Sequence, residues 1–242
     1  RDFRGCRVKA ISSMATRLLL ADLMAAADDA GLGHVEIESV GGVDAADRVA
    51  AGEEFDLVFL ADGALAKLAA DGHVAAASVA PLVLSQVAVG APSGTDAPAT
   101  AVSDPAFPDA AAVREAIREA RKIGYSTGPS GTALVSMIED WGLSAEVGDR
   151  LVQARPGIPV ARLLADGDVD LGFQQLSELV GSPGVSVLGV LPQDCAIDTV
   201  FSGAIAATSS EPEGAAAILA FLRTDAARDI ARSRHFAPPP AP

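Results

Sequence analysis

The 242-residue chain is poor in the residues that carry metal, redox and aromatic chemistry. It holds two cysteines, three histidines, one tryptophan, one tyrosine and eight phenylalanines. Cys6 and Cys195 form no Cys-x-x-Cys pair, so no zinc or iron–sulfur spacing exists. A disulfide between them and two free, buried thiols are both compatible with the sequence. His34, His73 and His235 lie far apart, near expected turns or the tail, and read as solvated surface residues. No run of about 18 apolar residues occurs, which excludes a membrane-spanning helix. Positive charge is also scarce: 18 Lys and Arg against 32 Asp and Glu give a net charge of −14. That balance disfavours nucleic acid and acidic membrane surfaces as partners. It leaves an anionic ligand open, because surface charge is screened beyond about 10 Å in ordinary salt. Hydrogen-bond donors in a pocket act at about 3 Å. The chain starts at Arg1 and shows no signal peptide, as a processed or trimmed protein would.

Half of the residues are hydrophobic, with alanine prominent, so the core is expected to be aliphatic. The length suits one large domain or two lobes of roughly 100 residues each. Periodicity predicts strands at Arg7 to Ile11, His34 to Ser39 and Phe55 to Leu60. Helices are predicted over Arg17 to Ala30, up to Val49, and over Ala64 to Ala70. This β-α alternation implies a parallel sheet. Long strands are expected at Leu82 to Gly90 and Thr199 to Ala207. Residues 91–109 read as a surface loop. A helix over Ala110 to Arg121 follows, then strands near Leu151 to Ala154, Val169 to Phe173 and Val185 to Val190. A short helix is expected over Val160 to Ala165. Glu213 to Arg234 reads as an amphipathic helix broken near Thr224-Asp225, before a proline-rich tail over 236–242.

The most informative stretch is Ile123-Gly-Tyr-Ser-Thr-Gly-Pro-Ser-Gly-Thr132. It reads as a strand end, a tight turn and the start of a helix with its apolar face at Leu134, Val135, Ile138 and Trp141. Tyr125, Ser126, Thr127, Ser130 and Thr132 supply hydroxyls. Gly128 and Gly131 permit close backbone approach, and the helix N-terminus offers unpaired N–H groups. Those features suit a small anion. They equally suit a plain loop with a Ser or Thr cap. No Lys follows Gly131, which excludes a Walker A loop, and no Gly-x-Ser-x-Gly elbow is present. Four more polar turns follow predicted strands: Ser12 to Thr16 with Arg17 just beyond, Val40 to Asp44 with Gly41 and Gly42, Ala61 to Gly63, and Gln174-Gln175 to Glu178. In open α/β sheets ligands bind at the carboxyl ends of strands.

The ordered set Ser-Ser-Met-Ala-Thr, Ser-Val-Gly-Gly-Val-Asp-Ala, Phe-Asp-Leu-Val-Phe-Leu-Ala-Asp, Gly-Tyr-Ser-Thr-Gly-Pro-Ser-Gly and Leu-Gly-Phe-Gln-Gln-Leu-Ser-Glu-Leu resembles the molybdate-binding-protein-like branch of the periplasmic solute-binding proteins of ABC importers. The resemblance spans nearly the whole chain. It implies the type II fold: two α/β lobes, each a mostly parallel sheet flanked by helices, joined by two crossover strands. Lobe 1 would comprise 1–84 plus 200–242 and lobe 2 residues 85–199, with a small anion held in the cleft between them. The matching positions are Ser12, Ser13, Gly41, Gly42, Ser130, the Gly157 turn and Gln175. Thr16, Tyr125, Ser126, Thr127 and Gln174 are their neighbours in the same turns. Molybdate binders carry tyrosine at the position of Gln175, and this chain adds Arg17 and Arg155, which shifts expectation toward a carboxylate or another anion. The resemblance further implies a periplasmic or secreted monomer, without cofactor or metal, that neither binds nucleic acid nor inserts into a membrane, and whose partner is an ABC permease.

The branch also includes aconitate isomerase, so a second class of function stays open: an isomerase shifting an allylic proton in an unsaturated tricarboxylate. That chemistry needs a base. Glu178, Asp62 and Tyr125 are the candidates, with a solvated helix face, a helix cap and a packed strand end as their respective ordinary roles.

Overall fold

The computed structural model describes residues 5–94 and 101–240, so six residues of the expected 91–109 loop and the last two of the tail lie outside the described residues. The chain divides into two compact units, residues 1–84 with 199–242, and residues 85–198.

The first unit is built on β1 (Arg7–Ser13), α1 (Arg17–Asp29), β2 (His34–Val40), α2 (Gly42–Ala50), β3 (Leu57–Ala61) and α3 (Asp62–Ala70). β1 pairs in parallel with both β2 and β3. Strand β4 (Ala80–Pro92) leaves this unit after Leu84. Alternation along β3 explains its burial on both faces. Leu57 and Phe59 pack with Val8, Ala10, Leu20 and Ile218, while Val58 and Leu60 pack with Ala45, Val49, Leu65 and Leu68. Each such buried Val, Leu, Ile or Phe side chain contributes about 1.5–3 kcal/mol. A short 3-10 turn, Met14–Thr16, carries β1 into α1.

The second unit comprises α4 (Ala110–Glu119), β5 (Ile123–Tyr125), α5 (Pro129–Asp140), α6 (Ser144–Val147), β6 (Leu151–Gln153), α7 (Val160–Ala165), β7 (Leu171–Gln175), α8 (Leu176–Leu179) and β8 (Val185–Val190). β5 is parallel to β6 and β7. β4 runs antiparallel to β7 and β8. Ile123, Leu171 and Phe173 pack against Val113, Ile117, Leu134 and Ile138 on one face. Ala88 and Val190 pack with Val160, Leu164 and Leu179 on the other.

β9 (Asp198–Ile205) returns the chain to the first unit, where it pairs antiparallel with β3. α9 (Pro212–Phe221) and α10 (Asp225–Ser233) complete it. The antiparallel strands are supplied by β4, β8 and β9, and the strands that alternate with helices are parallel, so each sheet is mixed.

Two expectations about single residues change. His73 and His235 are half-buried, not solvated; only His34 is exposed, 3.5 Å from Asp28. Cys6 and Cys195 are free and half-buried. Burial, then a hydrogen bond from Cys6 Sγ to Glu211 at 3.2 Å, pushes the Cys6 thiol up to about 11.

Candidate functional site

In the first unit the polar groups collect at the carboxyl ends of β1 and β2. Ser12 and Ser13 close β1 and are 0% and 7% exposed. Their hydroxyls have different fates. Ser12 Oγ donates to the Ser13 carbonyl at 3.1 Å and shares a 2.8 Å hydrogen bond with Ser39 Oγ of β2. Ser12 thus ties β1 to β2. Thr16 is likewise turned inward, its Oγ1 donating to the Ser13 carbonyl at 3.5 Å. Ser13 Oγ is buried with no hydrogen-bond partner. An orphaned buried hydroxyl costs about 1–3 kcal/mol. Among the described residues only one other buried side-chain polar atom shares this condition, Ser177 Oγ, which follows β7.

Gly42, the first residue of α2, lies against Ser13: a Cβ built there would stand 3.7 Å from Ser13 Cβ, and one on Gly41 would meet open space. No side chain caps α2, α3 or α5, whereas Asp109 caps α4 and Thr224 caps α10. The first-turn N–H groups of α2 therefore have no side-chain acceptor and carry the positive end of the helix dipole. Arg17 is exposed at the start of α1. Met14, Leu18 and Val43 are exposed at 50%, 51% and 77%, and with Ile158 they are the exposed large hydrophobic side chains among the described residues. Met14 follows Ser13 in the chain, Leu18 lies in the first turn of α1 and Val43 in the first turn of α2. Asp62 is not the helix cap that was expected: it is exposed in the first turn of α3, which no side chain caps, and its carboxylate accepts from Ser202 Oγ at 2.9 Å.

In the second unit the turn after β5 places Ser126 Oγ 3.0 Å from Ser130 Oγ. Gly128 opens α5 with no side-chain cap, so Ser130 is a buried hydroxyl partner of Ser126 and not a cap. Gly131 does permit a close approach, but to its own turn: a Cβ there would lie 1.8 Å from the Ser126 carbonyl oxygen. Thr127 is exposed, and Tyr125 is half-buried against the Ile123–Leu171 core. Gly157 serves a turn as well. Its φ of 80° lies in the left-handed region, and the Ile158 N–H closes the turn onto the Arg155 carbonyl at 2.9 Å. Arg155 itself is exposed.

Gln174 and Gln175 end β7 and are 4% and 6% exposed. Gln174 Oε1 accepts from the Ala161 N–H at 3.4 Å, and Gln175 Oε1 accepts from Ser85 Oγ at 2.6 Å. Glu178 follows in α8. Burial pushes its carboxyl above the usual carboxylate range, and a hydrogen bond with Gln174 pulls part of the way back. It is thus a half-buried acid beside an amide, not a residue of a solvated face. Ser177 and Ser85 were not marked by sequence pattern; Ser177 sits inside the polar turn after β7, but its orphaned hydroxyl depends on tertiary burial. Among the described residues no cluster of His, Cys, Asp or Glu could hold a metal ion, and no helix is long and apolar enough to cross a membrane.

The family model described as bacterial extracellular solute-binding protein matches residues 8–237. An aconitate isomerase from a Pseudomonas species is 33% identical over 189 residues, covering 76% of this chain and 68% of the relative. Among solved structures, the substrate-binding domain of a putative molybdenum ABC transporter from Clostridium difficile superposes with a TM-score of 0.77 at 12% identity, over 97% of this chain and 99% of that one. The periplasmic molybdate-binding protein of Azotobacter vinelandii gives 0.75 at 19% identity, over 96% and 100%.

Proposed function

The chain belongs to the bacterial extracellular solute-binding protein family and has the type II periplasmic-binding-protein fold, and from that premise we propose that it captures a small organic anion, a carboxylate. The observation that carries this reading is Ser13: a buried, unpartnered hydroxyl beside the uncapped N-terminus of α2, with Met14, Leu18 and Val43 exposed in the turns that follow β1 and β2. Donors of this kind suit an oxyanion or a carboxylate. The apolar rim suits a ligand with a hydrocarbon frame, since exposed apolar clusters mark binding surfaces. Ser126, Ser130 and the Gln175 amide supply the donors of the second unit. On this reading the protein works outside the cytoplasm, and the liganded form is what an ABC permease recognises.

A thermal-shift and calorimetric screen of citrate, trans-aconitate, succinate, sulfate, molybdate and tungstate tests it. The expected result is a raised midpoint with one or more of the carboxylates and little response to the inorganic oxyanions. Tight molybdate or tungstate binding with no carboxylate response overturns the choice of organic anion.

One observation favours a second reading, an isomerase of an unsaturated tricarboxylate. Glu178 is a carboxyl whose pKa burial raises against the opposing Gln174 hydrogen bond, which makes it a stronger base than an ordinary exposed carboxylate. It stands in the same turn as Gln175 and Ser177, and the Pseudomonas relative is an aconitate isomerase. In this reading Glu178 takes the allylic proton and returns it to the other carbon, while hydroxyl and N–H donors hold the extra charge that gathers on a substrate carboxylate. Following the olefinic proton of trans-aconitate by NMR decides between the two. Turnover lost in Glu178→Gln establishes the enzyme; binding without turnover over hours leaves a pure binding protein.

A further inference from the structure

Gln175 stands at the last position of β7, directly across from Val87 of β4 in the antiparallel register. Ser85 lies two residues before Val87, on the same face of β4, and so forms the diagonal cross-strand pair with Gln175. The hydrogen bond from Ser85 Oγ to Gln175 Oε1 is 2.6 Å long, between side chains that are 2% and 6% exposed. A hydroxyl can donate or accept, so the direction must be argued. Ser85 Oγ has no other acceptor among the described residues; if it accepted from the Gln175 amide instead, its own hydrogen would be buried without a partner. Donation to Oε1 satisfies both groups. Fixing the carbonyl end of a planar amide also fixes the opposite end, and Gln175 Nε2 makes no hydrogen bond to the protein among the described residues. Ser85 is, in addition, the first residue of the second unit on the strand along which the chain passes out of the first.

We propose that Ser85 is a positioning residue: it holds the Gln175 side chain with its amide N–H groups presented to the bound anion, so that Gln175 offers donors only. Without Ser85 the amide is free to rotate and can turn its carbonyl oxygen toward the anion, which repels it. The proposal rests on the anion-binding reading above and adds a residue that the reading does not require.

The test is a double-mutant cycle read by calorimetry with citrate, trans-aconitate, sulfate and molybdate on the wild type, Ser85→Ala, Ser85→Thr, Gln175→Leu and the Ser85→Ala/Gln175→Leu double variant. Ser85→Ala is expected to weaken binding of the responding anion about 5–10-fold, and Ser85→Thr, which keeps the hydroxyl, to restore it to within about twofold. The double variant should bind no worse than Gln175→Leu alone, because Ser85 acts only through that amide. Additive losses, or failure of Ser85→Thr to rescue affinity while its melting midpoint matches the wild type, overturn the positioning role and leave the anion reading standing. If none of the four anions binds the wild type, both fall together.

Discussion

At the scale of single residues, two adjacent serines are proposed to divide structure from ligand recognition. Ser12 and Ser13 are both buried at the end of β1, yet only Ser12 has hydroxyl partners. Ser12→Ala breaks the tie to Ser39 and should cost about 1–3 kcal/mol of stability, measured by urea unfolding. Ser13→Ala should do the reverse. It removes an orphaned buried hydroxyl, so the unliganded protein keeps or gains stability, while affinity for the anion falls about 10–100-fold, the usual loss for a hydrogen bond to a charged group. A Ser13→Ala variant that binds as tightly as the wild type would remove the main support for the site. The sequence showed that a hydroxyl pair ends β1, but alternation could not say which serine is free. That is decided by Ser39, 27 residues away on the neighbouring strand.

At the scale of elements, most of the strand–turn–helix units were legible because each carries either alternation or a helical apolar stripe over many residues. The failures are short. α6 and α8 have four residues each, too few for any period to show, so Gln174 to Glu178 read as one polar turn although it is a strand end followed by a helical turn. The sense of β4, β8 and β9 was hidden too, since a strand buried on both faces reads the same in either direction. Gly131 belongs here as well. Its permissiveness was visible, but what it accommodates is the Ser126 carbonyl. Gly131→Ala should therefore force the turn off α5, with a stability loss of about 1–3 kcal/mol by urea unfolding and weaker anion binding by calorimetry. Asp56 joins two other segments, β1 at Lys9 and the 209–211 turn. Burial pushes its carboxyl up, but the Lys9 N–H, the Ser209 hydroxyl and the Glu211 and Ser210 N–H groups outweigh that and hold it below the usual range. A depressed folded-state pKa stabilises the protein above the unfolded-state value of about 3.9 and is lost as pH falls through the folded-state pKa. Unfolding followed between pH 7 and pH 3 should show stability declining below about pH 4, and Asp56→Asn should be less stable at pH 7 with a shallower acid decline.

At the scale of the whole molecule, a protein of net charge −14 is proposed to bind an anion. The two facts act over different distances. The donors at Ser13, the α2 N-terminus and the Ser126–Ser130 turn reach only the first layer of ligand atoms, whereas the net charge repels an approaching anion over the Debye length, about 30 Å at 0.01 M salt and about 10 Å at 0.1 M. Association should therefore speed up as salt screens the repulsion, by about two- to fivefold between 10 and 150 mM sodium chloride, with dissociation nearly constant. That is the opposite of the salt dependence of a basic, electrostatically steered receptor. Arg17 and Arg155 are exposed and could reverse the sign if their local field governed the approach. Stopped-flow measurement of the responding carboxylate across that salt range separates the two cases. A rate rising with salt fits capture by short-range donors alone. A rate falling with salt assigns the approach to the arginines, and replacing Arg17 with Gln would then abolish most of the dependence.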